Sequence, residues 1–511
     1  MSTTLFTGGT VRTGRAEESA DWVLVEDGRI EAVGQGHAPS PDRSIDLDGG
    51  TLVPAFRDAH VHLPATGLYE QGMDFRGEAS ARRILESFRR RADEGALLFA
   101  GNFEDPLDEP LLAEHLDAAV GGSRALLVRA DMHSCVASSA LLQELELEHA
   151  EGVDRDEGGR PTGFLREQAA SEAWRWFESN LPRRQQIDAI RSAVQLAYSK
   201  GVAEVHEMFV VEWRGWNSAE IFAEAVADVA LDVAPFFGTD EVARVVDMGL
   251  PRIGGDWFLD GSFGSHTAWM NEPFASEPPG GSSPTGISYR DDDEVFEFFF
   301  EAHEAGLKVS VHAIGDAAIE QCISSWERVA EKIGKDPVRR LGHRIEHFEC
   351  ATDIHIRRAA ALGLRPSVQP AFDWFWGGRD GLYSQRIGVQ RALNMNRFRS
   401  MLDAGLMLAA GSDSTVTPLD PFLQMVSLRE HHVAGERLDA SSALELNTFG
   451  PAAANGHSHI KGRIEEGLQG DVVWLDRDPL STSGEDLLRT EVLGTWIEGR
   501  RVWPEAEAET A

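Results

Sequence analysis

The sequence predicts an α/β fold: a (β/α)8 TIM-like barrel, a small β-sandwich formed by the N- and C-terminal segments, and a large insertion after the first barrel strand. Three observations lead there. Eight strand-like runs alternate with helical stretches through the middle of the 511-residue chain. Short strand-and-turn segments stand at both ends of it. Histidines and carboxylates recur where the eight runs finish, and a barrel gathers its chemistry at the C-terminal ends of its strands.

In chain order, Leu5 to Gly8, Trp22 to Glu26, the Asp27-Gly28 turn and Arg29 to Val33 read as short strands. A matching piece near the C-terminus comprises residues 461–467, Asp471 to Leu475 and Val492 to Val502. Neither segment can bury a sheet face alone, so pairing them is the simplest arrangement. The eight candidate barrel strands are Thr51 to Asp58, Val202 to Met208, Leu231 to Phe237, Trp257 to Leu259, Leu307 to Ala313, Arg344 to His347, Leu364 to Gln369 and Leu406 to Ala410. About 140 residues separate the first two, too many for a plain loop. Helices expected at Ala81 to Ala100 and Pro182 to Lys200 frame a segment that caps the barrel mouth. The resulting division is 1–50 with 458–511 as the composite sandwich, 51–457 as the barrel, and 70–180 as the insertion within it.

At 42% hydrophobic content, with no unbroken apolar run long enough for a membrane span, the composition is that of a globular protein with ample core. Met1-Ser2-Thr3-Thr4-Leu5-Phe6 lacks the basic and apolar regions of a secretory signal. Three scattered cysteines, Cys135, Cys322 and Cys350, argue against a disulfide framework and fit a reducing cytoplasm. The net charge of -36, with five lysines in the chain, argues against nucleic-acid and anionic-membrane partners. It fits simple solubility, or adaptation to high intracellular salt. The expected partner is a small-molecule substrate, and a homodimer is the expected assembly.

His60 and His62 flank Val61 in Asp58-Ala59-His60-Val61-His62, and alternation on a strand projects both imidazoles to one side, as a chelating pair requires. At the other strand ends stand His206-Glu207, Asp256 with Asp260, His312, His347 and Asp413. Taken singly each has a structural alternative: His312 as a hydrogen-bonded core imidazole, Asp413 as a helix N-cap, Arg344 with Glu346 as an ion pair. Together, at the ends of successive strands, they indicate a metal centre.

These residues sit in seven motifs, in order along nearly the whole chain. They are Asp58 to His62, Pro161-Thr162-Gly163-Phe164-Leu165-Arg166-Glu167, Leu259-Asp260-Gly261-Ser262-Phe263-Gly264-Ser265, Val311-His312-Ala313-Ile314-Gly315-Asp316, Arg344-Ile345-Glu346-His347, Ala410-Gly411-Ser412-Asp413, and Gly462-Arg463-Ile464-Glu465-Glu466-Gly467. With them the chain resembles the amidohydrolase superfamily of metal-dependent hydrolases. Within it the chain looks like the YtcJ-like branch, amidohydrolase family 3, and is similar to N-substituted formamide deformylases. The resemblance implies that His60 and His62 bind the more buried metal, that His312 and His347 bind a second metal or substrate and water, and that Asp413 is the remaining ligand and the general base. His347 and Asp413 are then the catalytic pair. Zinc is the first expectation for the ion, with iron, manganese or cobalt suited to the same ligands.

Many members of this family carry a metal-bridging lysine at the fourth strand. Here that segment reads Gly254-Gly255-Asp256-Trp257-Phe258-Leu259-Asp260 and holds none. Either one ion is bound or another carboxylate bridges two, with Glu207 the first candidate and Asp256 the second. For substrate contact the candidates are His266 after the fourth strand, His133 in the insertion, and Trp374 and Trp376 in the aromatic run after the seventh. The expected activity is hydrolysis of a non-peptide C-N bond in an amide, formamide or N-acyl small molecule, through a metal-activated water with Asp413 as base. The alternatives are ester or lactone hydrolysis or deamination on the same scaffold, or a binding protein without turnover.

Overall fold

The computed structural model describes residues 3–16, 18–92, 97–104, 106–130, 133–147, 150–278 and 283–504. Met1 and Ser2, part of the expected helix over 81–100, and Asp131-Met132 beside His133 lie outside the described residues.

Eight parallel strands carry the middle of the chain. Phe56–Val61, Val202–Phe209 and Asp232–Phe237 form one ladder in the spatial order first, second, third. Arg252–Phe258, Lys308–Ala313, Arg344–His347, Arg365–Val368 and Ala409–Ala410 form the other, strictly in chain order. Nearly every residue in these strands is buried, the pattern of a parallel sheet covered on both faces. Helices such as Val211–Val226, Asp316–Ile333 and Asp353–Leu362 follow individual strands. The third and fourth strands run side by side. The first strand meets the segment after the eighth: Asp413 N donates to His60 O at 2.7 Å and His62 N donates to Ser414 O at 2.9 Å. Asp58 reinforces this seam by accepting from the Ser412 amide at 2.9 Å.

The expected first strand, Thr51 to Asp58, divides in two. Thr51–Pro54 runs antiparallel to Val472–Leu475 in a six-stranded sheet that also holds Thr10–Arg12, Ser19–Ala20, Val492–Ile497 and Arg500–Trp503. Only Phe56–Val61 joins the parallel series. Pro54 has no N–H to offer a ladder, and the chain changes partners just past it. A second terminal sheet holds Arg29–Gly34, Trp22–Glu26, Thr3–Thr7 and Arg43–Asp46. Behind the seam, the buried Arg57 guanidinium pairs with Glu204 at 3.0 Å and Asp471 at 2.7 Å, joining the first and second parallel strands to the C-terminal segment.

The region between the first two parallel strands has a six-stranded sheet of its own, in the order Val153–Arg155, Pro161–Arg166, Ser134–Ala137, Arg124–Arg129, Leu97–Phe103, Met73–Asp74. The helix expected over 81–100 ends at Arg91, and Leu97–Phe103 is a strand. Its apolar run satisfies helix and strand alike when only periodicity is read. The fourth parallel strand starts earlier than the expected Trp257, at Arg252, and carries Gly254-Gly255 as an internal bulge. The eighth is shorter than expected, two residues only.

Candidate metal centre

Alternation along the first strand turns His60 and His62 to one side, and four imidazoles converge there. His60 lies with its ring centroid 4.8 Å from that of His347, which is 4.4 Å from that of His312. Each ring is held from behind by an oxygen. His60 Nδ1 lies 2.8 Å from Glu346 Oε2, His62 Nδ1 2.8 Å from the Met208 carbonyl, His347 Nδ1 2.8 Å from Gln369 Oε1, and His312 Nε2 3.2 Å from the Gly261 carbonyl. Carbonyl and carboxylate oxygens accept, so these outer nitrogens carry the protons. The inner nitrogens are left as lone pairs facing one another, the tautomer a metal ligand needs.

Two carboxylates face those lone pairs. Asp256 Oδ2 is 3.2 Å from His62 Nε2 and 3.5 Å from His60 Nε2, and its Oδ1 is 3.7 Å from His312 Nδ1 and 3.9 Å from His347 Nε2. Asp413 Oδ1 is 3.1 Å from His62 Nε2 and 3.5 Å from His60 Nε2. The ligand atoms of His60, Asp256 and His347 lie within 4.8 Å of one another, as do those of His60, His62 and Asp413. His60 Nε2, His312 Nδ1, His347 Nε2, Asp256 Oδ1, Asp413 Oδ1 and Glu207 Oε1 are buried without a hydrogen-bond partner. Native interiors rarely tolerate such a cluster, and a cation at its middle satisfies it.

The electrostatics show the positive charge this centre calls for, since protons compete with a cation for the inner lone pairs of His60 and His62. Burial opposes charge on His62, yet Asp256 and Asp413 raise its pKa to about 9, and the same carboxylates raise His60 well above its usual value. Burial likewise opposes charge on Asp256, yet His60, His312 and His347 hold it far below the ordinary range. Cation and anion sites stabilise each other across the centre.

Backbone conformation aims these groups. His347 has φ 70° and Asp413 φ 52°, left-handed values uncommon outside glycine. Such strain persists only where the surroundings enforce it. Asp256 is presented by the bulge, in which Gly254 has φ +91° and Gly255 φ +78°. A Cβ on Gly254 would meet the Ser310 carbonyl oxygen at 2.0 Å.

Above the centre lies an open-mouthed cavity. His62, Asp256, His312, His347 and Asp413 face it from one side, and Trp213, Phe258, Phe372 and Trp376 supply apolar wall.

The family model described as amidohydrolase family matches residues 43–503. The chain belongs to the amidohydrolase family. Among similar proteins, the putative amidohydrolase YtcJ of Bacillus subtilis is 27% identical, over 97% of this chain and 98% of its own length. The N-substituted formamide deformylase of Arthrobacter pascens is also 27% identical, over 96% of each chain. An uncharacterized metal-dependent hydrolase from Pyrococcus furiosus superposes with a TM-score of 0.75 at 25% identity, covering 94% of this chain and all of the other. The resemblance read from the seven motifs is borne out.

Within this amidohydrolase, His60, His62, His312, His347 and Asp413 come together as the sequence placed them. Of the two bridging candidates, Asp256 lies nearer the imidazoles than Glu207. Asp256 faces all four imidazoles, whereas Glu207 spends one oxygen on the Leu63 amide at 2.7 Å. Burial pushes the Glu207 carboxyl up to about 7. His206, on the same strand, points away: its ring is held by Arg344 at 2.6 Å and Glu204 at 3.3 Å, and burial pushes it down to about 4. Asp260 is a backbone pin that accepts from the Trp269, Ile314 and Gly315 amides.

Of the four expected substrate contacts, His133 and Trp376 line the cavity. His266 lies outside that lining, its Nε2 2.8 Å from Ser276 Oγ, and Trp374 packs against the main core. The helical turn of Pro370–Trp376 explains the split, since Phe372 and Trp376 share one face at i, i+4 and Trp374 takes another. Sequence reading missed Gln369 and Glu346. Gln369 just past the seventh strand was available to the strand-end argument. Glu346 passed as a plain partner of Arg344, and that 2.8 Å ion pair exists while Glu346 also holds His60.

Proposed function

We propose that the chain is a metal-dependent hydrolase of non-peptide C-N bonds in amides, formamides or related N-acyl small molecules. The eight parallel strands are read as a closed (β/α)8 barrel, the two terminal sheets as a composite β-sandwich, and the segment 70–180 as its cap. The observation that carries the reading is the set of four imidazoles, each pinned by its outer nitrogen and turning a lone pair toward Asp256 and Asp413.

His60, His62, His312, His347, Asp256 and Asp413 would hold the ion, with Asp256 in the place of the bridging lysine. Zinc suits this set, as do iron, manganese and cobalt. A divalent ion there supplies polarisation of a substrate carbonyl and acidification of water. Asp413 accepts the proton that water gives up and delivers it to the departing amine, which must be protonated to leave. His347 orients the substrate oxygen, and the aromatic walls of the cavity take the apolar part of the substrate and exclude bulk water. The name of the Arthrobacter pascens relative supports the choice of bond. The three free cysteines support a cytoplasmic location.

The test is a screen of N-formyl and N-acyl amines with zinc-loaded protein, alongside His60→Ala and Asp413→Asn. Both variants are expected to lose turnover by several orders of magnitude, as with other groups that act in the transition state. Activity retained in Asp413→Asn would remove it as the base, and folded protein that retains no divalent metal after loading would overturn the reading.

A further inference from the structure

The cavity over the metal centre continues outward into a second space, and the two share His133, Trp213 and Phe258 as walls. Phe258 and Trp213 stack with centroids 4.9 Å apart at 15°, so the passage between the spaces is aromatic. At its outer end stands Glu167, the last residue of the Pro161 to Glu167 motif, for which the metal centre has no use.

Glu167 is built for position. Its φ is 43°, a left-handed value that a side-chain-bearing residue rarely adopts, and its amide donates to the His133 carbonyl at 2.9 Å. One carboxylate oxygen, Oε2, accepts from the Tyr289 hydroxyl at 3.0 Å and lies 3.1 Å from His133 Nδ1. The other, Oε1, is buried with no partner. The arginines lining the outer space have carboxylates of their own: Arg290 pairs with Glu212, and Arg175 with Glu172 at 3.0 Å. Among the described residues, neither arginine nor lysine pairs with Glu167.

The distance to the metal centre is also defined. From the His312 ring to Phe258 is 4.8 Å between centroids, and from Phe258 to Tyr289 is 6.5 Å. A ligand reaching from the centre to Glu167 therefore runs along one aromatic ring.

Resting on the hydrolase reading above, we propose that Glu167, held by Tyr289 and His133, is a specificity site for a cationic nitrogen, so that the preferred substrates are N-acyl or N-formyl amines bearing a second, protonated amine about one aromatic ring away. An ammonium there meets a carboxylate that no arginine or lysine among the described residues neutralises, and its apolar stem packs beside the Phe258 and Trp213 pair. The strongly acidic surface would draw such substrates toward the mouth.

The test measures binding, so it does not depend on turnover. Calorimetric titration of the zinc-loaded full chain compares 1,4-bis(aminomethyl)benzene with 4-ethylbenzylamine at fixed ionic strength. The diamine should bind at least about tenfold more tightly to the unsubstituted protein. Glu167→Gln should bring that ratio close to one, and Tyr289→Phe should lower it part of the way. A ratio near one in the unsubstituted protein, a ratio that survives Glu167→Gln, or an equal loss for both ligands would overturn the proposal. The mono-N-formyl derivatives of both amines are then offered as substrates. If the binding ratio behaves as expected while neither is hydrolysed, recognition stands and the proposed reaction is what fails.

Discussion

At the scale of single residues, the centre depends on which nitrogen of each imidazole is already occupied. The Met208 and Gly261 carbonyls, Gln369 and Glu346 each engage an outer nitrogen and so fix the lone pair that faces inward. Glu346 can serve because, against the burial that would raise its pKa, the Arg344 charge and His60 hold it below the usual carboxylate range. Asp256 and Glu207 differ in the same terms: one offers both oxygens to imidazoles, the other one oxygen at most. Asp256→Asn should therefore abolish or greatly weaken metal binding, with at least about a hundredfold loss in affinity. Glu207→Gln should lose no more than the 10- to 100-fold typical of a supporting residue. Metal analysis after dialysis against graded chelator checks both, and the reverse order would return Glu207 to the bridging role.

At the scale of elements, the fourth strand matters most. Its bulge inserts two left-handed glycines ahead of Asp256, and this puts the carboxylate among four imidazoles where a regular strand would not. Gly254→Ala places a methyl group against the Ser310 carbonyl oxygen and forces an L-residue to φ +91°. The backbone penalty alone is about 1–3 kcal/mol. The expected outcome is a lowered thermal midpoint together with weakened metal binding, because relief of the clash must move Asp256. A variant with unchanged midpoint and metal affinity would show that the bulge does not set the carboxylate's position.

At the scale of the molecule, charge and connectivity pull in different directions. Acidic residues number 84 against 48 lysines and arginines, so the folded chain repels itself. Inside, buried opposite charges tie distant segments together: Arg57 links Glu204 to Asp471, and Lys461 reaches both Glu204 and Asp232. Ionic strength screens the surface charges far more than the buried pairs. The thermal midpoint should accordingly rise as salt is raised from about 0.15 M to molar concentrations. A flat response in a melting series would reduce the acidic surface to a solubility feature.

The sequence by itself determined the residue types, their order and their spacing along the chain. His60 and His62 could be assigned to one face because alternation on a strand is a local rule, and His312, His347 and Asp413 because they stand where successive strands end. Seven ordered motifs were enough to name the family. Tertiary structure decided what local rules do not reach. That Thr51–Pro54 leaves the first strand for a sheet with Val472–Leu475 depends on a pairing across more than 400 residues. That Asp256 and not Glu207 faces both histidine pairs depends on a bulge at two glycines, packed against Ser310, Phe236 and Met208 of neighbouring strands. That Trp376 lines the cavity while Trp374 joins the core depends on which side of a short helix meets the rest of the protein. Proximity between residues far apart in the chain is a property of packing, and the geometry of a metal centre consists of such proximities.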